Sequence, residues 1–240
     1  PRVRRQRQMC IRDSRCLEPW ERALIRATWQ EHDFGLAAMV MLYTGFRRGE
    51  MLHLNIDRDV DFEKKTIAVR GAVSFSEGNR PKLTKGKTAS AIRTVPLLPP
   101  LEEALKGRHG LVCHKENGGI MSQSAFACKY ESYITFLETK LNGIHKRWYG
   151  KTNEQKQLLA EGKLPPWKEI NIRCHDFRVE FCTRAYYAQV PLKTLQSWMG
   201  HADADMILAI YTKLDKEQER TDAAKMVNYL TRLEVDSAAE

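Results

Sequence analysis

The six cysteines of this 240-residue chain, at positions 10, 16, 113, 128, 174 and 182, form no Cys-x-x-Cys pair and no regular framework. That pattern excludes a disulfide scaffold and suits reduced thiols, so a cytoplasmic location is expected. His109, Cys113, His114 and Cys128 have spacings that match no known zinc-site type, so no metal is expected. No apolar run reaches membrane-spanning length and no signal peptide is present, so no membrane partner is expected. There is no internal repeat and no strong domain boundary after residue 17.

What the chain has in excess is positive charge. Lys and Arg outnumber Asp and Glu by 39 to 30, a net +9 that favours a polyanionic partner, most commonly nucleic acid. Residues 1–14 hold five Arg and one Asp, so +4 of this lies there and +5 in the rest. The stretch RQRQMCIRDS, Arg5 to Ser14, resembles the translated read-through of a sequencing adapter. Residues 1–16 are therefore set aside as read-through or a disordered arm, and residues 17–240 are taken as one catalytic-size domain.

Pro19 to Gln30 has the apolar stripe of a short helix, and Asp33 is placed to cap a second, Phe34 to Tyr43. That second helix is apolar almost all round and so central. Gly45 ends it, and a third helix runs through Glu50 and Leu52. Asp57 to Val69 alternates as a strand pair around Glu63-Lys64-Lys65, Arg70 to Ser90 has the composition of a mobile loop, and Ile92 to Leu97 is a strand punctuated by Pro99-Pro100. Ser122 or Ser124 starts a long helix with Phe126, Tyr130, Tyr133, Ile134, Leu137 and Leu141 on one face. Gly143 to Lys168 looks inserted, basic and polar. From Cys174 the chain is helical again: Pro191 opens a helix, Gly200 stops it, and Asp203 caps the next. A tail helix is expected at about 216–232, with Ala223, Met226, Val227 and Leu230 as its apolar stripe. The fold class is mostly α with a small antiparallel β-sheet.

Two adjacent arginines, Arg47 and Arg48, follow the central helix and its Thr-Gly turn. Burying a guanidinium costs several kcal/mol unless an anion meets it. Glu50 is one candidate anion, and a ligand from outside is the other. His175 and Arg178, three apart, share a helix face. His201 follows a helix stop, Tyr211 stands ten residues later, and Lys85 and Lys87 lie just ahead of a strand. Singly, each has an ordinary structural explanation: a salt bridge, a helix cap, a core tyrosine, a solvated loop.

Their order changes the reading. T-G-F-R-x-x-E, K-T-x-S-x-x-R-x-V-P, H-x-F-R, M-G-H and then Tyr ten residues on together resemble the tyrosine recombinase family, the phage-integrase type. The resemblance covers roughly Leu17 to Leu230 and the family's catalytic domain, without its usual N-terminal core-binding domain. It implies a site-specific recombinase or integrase of a mobile element or phage, working through a covalent 3′-phosphotyrosyl intermediate with no cofactor. The alternatives are a type IB topoisomerase-like relaxing activity and a catalytically decayed DNA-binding module.

The resemblance implies Tyr211 as nucleophile and Arg47 and Arg178 as guanidinium forks on the phosphate. Lys87 matches the general acid; Lys85 is its rival, but Lys87 directly precedes Thr88 as in the family motif. His175 is implied to help deprotonate the tyrosine or orient the phosphate, and His201 to bond a non-bridging oxygen. Glu50 supports the arginine pocket. Arg48, Arg80, Lys82 and Lys85 are candidate contacts to double-stranded DNA, with Lys146, Arg147 and Lys151 extending that surface. The tail helix is expected to mediate self-association into a synaptic tetramer on DNA. The sequence departs from the family at Val179-Glu180, where His or Arg and then Thr or Ser is usual. Glu180 must therefore point away from the phosphate or pair with Arg184.

Overall fold

In the computed structural model, residues 15–75, 79–85, 92–200 and 204–211 are described; for Lys85, Ala204, Met206 and Tyr211 this extends to the backbone alone. The first helix, α1 (Pro19–Thr28), carries Pro at its first position and a capping glutamate. Glu21 accepts from the Glu18 backbone N–H at 2.8 Å and from the Arg15 guanidinium at 2.5 Å. Arg15 also donates through its backbone N–H to Asp176, so the chain is tied into the fold from that residue on.

Helix α2 (Gly35–Thr44) is buried at every residue but Leu36, as its all-round apolar sequence requires. Asp33 does not cap it. The first helical donor, Gly35 N–H, goes to the His32 carbonyl at 2.8 Å, and the N–H of Phe34 before it goes to His32 Nδ1 at 3.1 Å, while Asp33 stays exposed and faces Lys129. A single helical turn at Trp29–Glu31 lies against the start of α2 so closely that a Cβ on Gly35 would stand 1.8 Å from the Trp29 carbonyl oxygen. At the other end Gly45 adopts φ +64, the left-handed stop expected of it.

Helix α3 (Arg48–His53) follows at once. Residues 57–59, expected to be strand, instead belong to a short helix, α4 (Ile56–Asp59). Two reciprocal bonds win there: Asn55 Oδ1 accepts from Arg58 N–H at 3.2 Å, and Asp59 accepts from Asn55 N–H at 3.0 Å. Strands β1 (Val60–Asp61) and β2 (Thr66–Val69) then pair antiparallel, Val60 opposite Ile67, around a turn in which Asp61 accepts from the Glu63 and Lys64 N–H groups.

The stretch read as a mobile loop is largely a hairpin. Strands β3 (Gly71–Phe75) and β4 (Pro81–Lys85) pair antiparallel from Gly71–Lys85 to Phe75–Pro81. Gly, Ser and Lys carry little strand propensity, but β3 finds a surface to lie on: it packs on α3, with Val73 buried. Strand β5 (Arg93–Pro96) pairs with β2, giving the order β1–β2–β5.

Pro99-Pro100 opens helix α5 (Pro99–Leu105) rather than merely ending the strand. Helix α6 (Gln123–Asn142) starts at Ser122, whose hydroxyl accepts from Ala125 N–H at 3.3 Å, and ends at Gly143 with φ +68. Its predicted face is the buried one: Phe126, Tyr130 and Tyr133 surround Phe34 with ring centroids 5.3 to 5.7 Å away. Between α6 and α8 lies the 143–168 segment with its own short helix, α7 (Asn153–Ala160). Helix α8 (Cys174–Tyr187) packs against α2 and is followed by α9 (Leu192–Met199) and α10 (Ala204–Tyr211). Phe181, Cys182, Ala185, Leu195, Met199 and Ile207 form a second small core that holds these three helices together. Among the described residues no helix is long and apolar enough to cross a membrane.

Candidate active site

The α2–α3 turn, β5 and α8 bring three guanidinium groups to one carboxylate. Glu50 is nearly buried, and it closes the first turn of α3 by accepting from Arg47 N–H at 2.9 Å. Arg93 meets both of its oxygens, at 3.0 and 2.8 Å. Arg47 adds Nη1 at 3.0 Å, and Arg178 Nη1 lies 4.0 Å away. Burial alone pushes the Glu50 carboxyl up, but the bonds and charge of Arg93, with Arg178 and Arg47, prevail and hold it down at about 2.

The three arginines differ in what else they do. Arg47 keeps 41% of its side chain exposed, so it is the one within reach of a ligand. Arg93 sends Nε to the Trp198 carbonyl at 2.5 Å, joining the strand to the end of α9. Arg178 is fully buried; it donates to the Gly45 carbonyl and, at 2.6 Å, to the Met199 carbonyl. It therefore pins together the last turns of α2 and α9, each next to or at a positive-φ glycine, Gly45 and Gly200. The structure brings Arg178 to the carboxylate but does not present it to solvent.

Arg93 carried no role in the sequence reading, although it stands inside the K-T-x-S-x-x-R-x-V-P run. The signal was there in the strand parity. Arg93 and Val95 share a face, and both are buried.

His175 sits half-buried in the first turn of α8, three residues before Arg178. That turn is closed by Asp176, which accepts from Arg173 N–H at 2.8 Å. Glu180 takes the first of its two expected courses. It turns to α1, accepting from Leu17 N–H at 3.1 Å and pairing with Arg22 at 3.1 Å. Its ion-pair partner is thus Arg22 and not Arg184, whose guanidinium lies over the Tyr43 ring. Burial pushes the Glu180 carboxyl up, with Arg22 opposing.

Tyr211 is the last residue of α10, which packs on α8 through Ile207. His201, Lys87 and the tail helix expected at about 216–232 lie outside the described residues.

The Phage integrase family model matches residues 23–218. The chain belongs to that family. Among curated relatives it is 27% identical over 221 residues to a tyrosine recombinase XerC-like protein of Caldanaerobacter subterraneus, covering 86% of this chain and 52% of that one. It is 29% identical over 173 residues to the prophage integrase IntR of Escherichia coli, covering 71% and 40%. The chain thus spans about half the length, or less, of the curated relatives it matches. Its fold is that of the Tn1549 transposon integrase solved with transposon right-end DNA, with a TM-score of 0.64 at 21% identity over 89% of this chain and 66% of that one. The XerA recombinase crystal structure shares the fold at a TM-score of 0.54 and 19% identity, covering 88% and 63%.

In this phage-integrase family domain the β3–β4 hairpin stands beside the arginine cluster. Arg48 is a surface residue, but its guanidinium lies over Phe75 of the hairpin at 5.2 Å and over Phe126 of α6 at 5.5 Å. It is also close enough to Cys174 to oppose the burial that raises that thiol to about 11. Asn79, past the end of β3, exchanges two bonds with Ser124: Nδ2 donates to the hydroxyl at 2.7 Å, and Oδ1 accepts from the backbone N–H at 2.8 Å. The hairpin is therefore clamped to the start of α6. Arg80 and Lys82 are exposed on it, and Lys85 ends β4.

His109 bonds Asp57 at 2.6 Å, whereas Cys113 is buried against Met121. Among the described residues no group of three or more His, Cys, Asp or Glu is placed to hold a metal ion.

Proposed function

We propose that this domain cuts and rejoins duplex DNA site-specifically, through a covalent bond to Tyr211, as part of a mobile-element or phage recombinase. The observation that carries the reading is the convergence of Arg47, Arg93 and Arg178 on the buried Glu50, with Arg47 left exposed at its edge. A phosphodiester resists attack because it is already anionic. Its pentacoordinate transition state places more charge on the oxygens, which pre-positioned guanidinium forks stabilise. A carboxylate that locks those forks in place before the substrate arrives removes the need to reorganise them.

The Tyr211 oxygen attacks phosphorus, the bond to the 5′-oxygen breaks, and Lys87 gives that oxygen its proton. The DNA is left joined to Tyr211 through a 3′-phosphotyrosyl bond. The 5′-hydroxyl of a second strand then attacks the same phosphorus and the tyrosine leaves. One phosphoester replaces another at each step, so no high-energy donor is consumed. His175 orients the phosphate or takes the tyrosine proton, and His201 bonds a non-bridging oxygen. Arg178 meets the phosphate once the contacts that now bury it open; in the present structure its donors are on Gly45 and Met199. Self-association on DNA through the tail helix, and contacts to DNA by Arg48, Arg80, Lys82 and Lys85, belong to the same proposal.

The test is a nicked suicide duplex bearing the candidate site. Wild-type protein gives a covalent protein–DNA adduct, and Tyr211→Phe binds the duplex but gives none. An adduct of wild-type yield in Tyr211→Phe would sink the assignment.

A further inference from the structure

Residues 143–168 hold six basic and two acidic side chains, a net +4. Residues 15–240 together carry only +5, so outside this segment the domain is almost neutral. We infer that the 143–168 segment is a second nucleic-acid contact, gripping the duplex beyond the cleavage pocket; this rests on the DNA-cleaving role proposed above.

A basic loop is ordinarily just solvated, but three observations set this one apart. First, it is built. Asn142 and Lys168 exchange two bonds at 2.9 and 3.0 Å that close its base. Tyr149 packs edge-on against Trp167 and donates to the Pro165 carbonyl. Thr152 caps α7 by accepting from Gln155 N–H at 3.3 Å. Second, it exposes an aromatic that its own small core does not use. Trp148 is 54% exposed, with the Arg147 guanidinium over its ring at 5.4 Å. A cation stacked on an exposed indole suits a sugar–phosphate edge or an unstacked base.

Third, it lies near the pocket. From Lys168 the chain runs back along α6, with Ile170 N–H donating to Glu138 and the Ile172 carbonyl accepting from Tyr130. Six residues then bring it to Cys174, beside His175. An extended chain of that length spans at most about 20 Å. One turn of duplex is about 34 Å, so DNA seated at the arginine cluster passes within reach. Lys146 is paired with Glu169 and Lys163 with Glu161. Arg147, Lys151 and Lys156 have no ion-pair partner among the described residues, and they are the probes.

The triple variant Arg147→Gln, Lys151→Gln, Lys156→Gln is compared with wild type on a long duplex carrying the site and on one trimmed to about six base pairs either side. Far-ultraviolet circular dichroism verifies that the exposed substitutions leave the fold intact. On the long duplex the variant should bind at least tenfold more weakly, and the slope of log K against log salt should flatten by about two to three, near 0.9 per lost phosphate contact. On the trimmed duplex the two proteins should bind alike, and adduct yield at saturating DNA should be unchanged. Equal affinity and equal slope on the long duplex would overturn the inference and leave a solvated surface. A wild-type protein that binds but forms no adduct would instead count against Tyr211 and leave the binding comparison standing.

Discussion

Arg93 closes both Nη groups on the two oxygens of Glu50, at 3.0 and 2.8 Å, and is buried in doing so. With its Nε on the Trp198 carbonyl, this one side chain joins β5, α3 and the end of α9. The pair lies behind Arg47, so the exposed arginine is backed by a carboxylate already held by a rigid fork. A buried pair of this kind is poor evidence for stability gained, but losing one partner leaves an uncompensated charge, at a cost of about 3–5 kcal/mol.

Glu50 should therefore be felt in acid. Its folded carboxyl sits at about 2, against 4.5 for an unperturbed one. The contribution is fully present above about 4.5 and is lost as pH falls toward 2, a shift worth roughly 3 kcal/mol. Urea unfolding of wild type and Glu50→Gln between pH 2 and 7 should show the variant less stable at neutral pH, with the gap narrowing as pH drops through that window. A gap that stays constant from pH 5 to 2 would show that Glu50 does not titrate against this cluster.

Gly49 sets the distance between α3 and the hairpin. A Cβ there would stand 2.4 Å from the Val73 carbonyl oxygen, a backbone atom that cannot turn aside. Gly49→Ala should lower stability by about 1–3 kcal/mol, as overpacking does, and shift the hairpin relative to Glu50. Thermal unfolding measures the first effect and adduct formation at saturating DNA the second. An alanine variant that melts with wild type would mean that α3 and β3 separate at no cost.

The elements that were legible in the sequence are those where one local rule decides. Gly45 had to end α2, and the i, i+4 spacing from Phe126 to Tyr130 had to give α6 its face. The β3–β4 hairpin was not legible because its composition favours a loop and its stability comes from packing on α3, which is not its neighbour in the chain. Arg93 was legible and passed over: alternation with buried Val95 gives its inward direction, and pairing with Val69 holds it there. Asp33 and Glu180 each had a plausible local role and took another partner, Lys129 in the first case and Arg22 in the second.

Arg47 meets Glu50 through Nη1 and stays partly exposed, so Arg47→Lys should change stability by no more than about 1 kcal/mol. Lysine keeps the charge but loses the planar fork. Adduct formation should fall at least tenfold while the melting temperature hardly moves. Normal cleavage by Arg47→Lys would reduce the Arg47–Glu50 pair to a structural salt bridge.

The last prediction separates Lys87 from Lys85 and uses the clamp on the hairpin that leads to both. A general acid is needed only while the leaving oxygen is poor, and a 5′-bridging phosphorothiolate leaves as a thiolate without a proton. Lys87→Ala should be slow on ordinary DNA and recover on the phosphorothiolate substrate, while Lys85→Ala should be close to wild type on both. Asn79→Ala breaks the two bonds that hold the hairpin to Ser124, upstream of β4, whose last residue is Lys85. If the clamp serves to aim the acid, this variant should lose less than Lys87→Ala on ordinary DNA and regain its loss on the phosphorothiolate. A loss that is equal on both substrates would make Asn79 a residue of general stability only. Rescue of Lys85→Ala in place of Lys87→Ala would move the proton to Lys85, and rescue of neither would take the general acid off this stretch of chain.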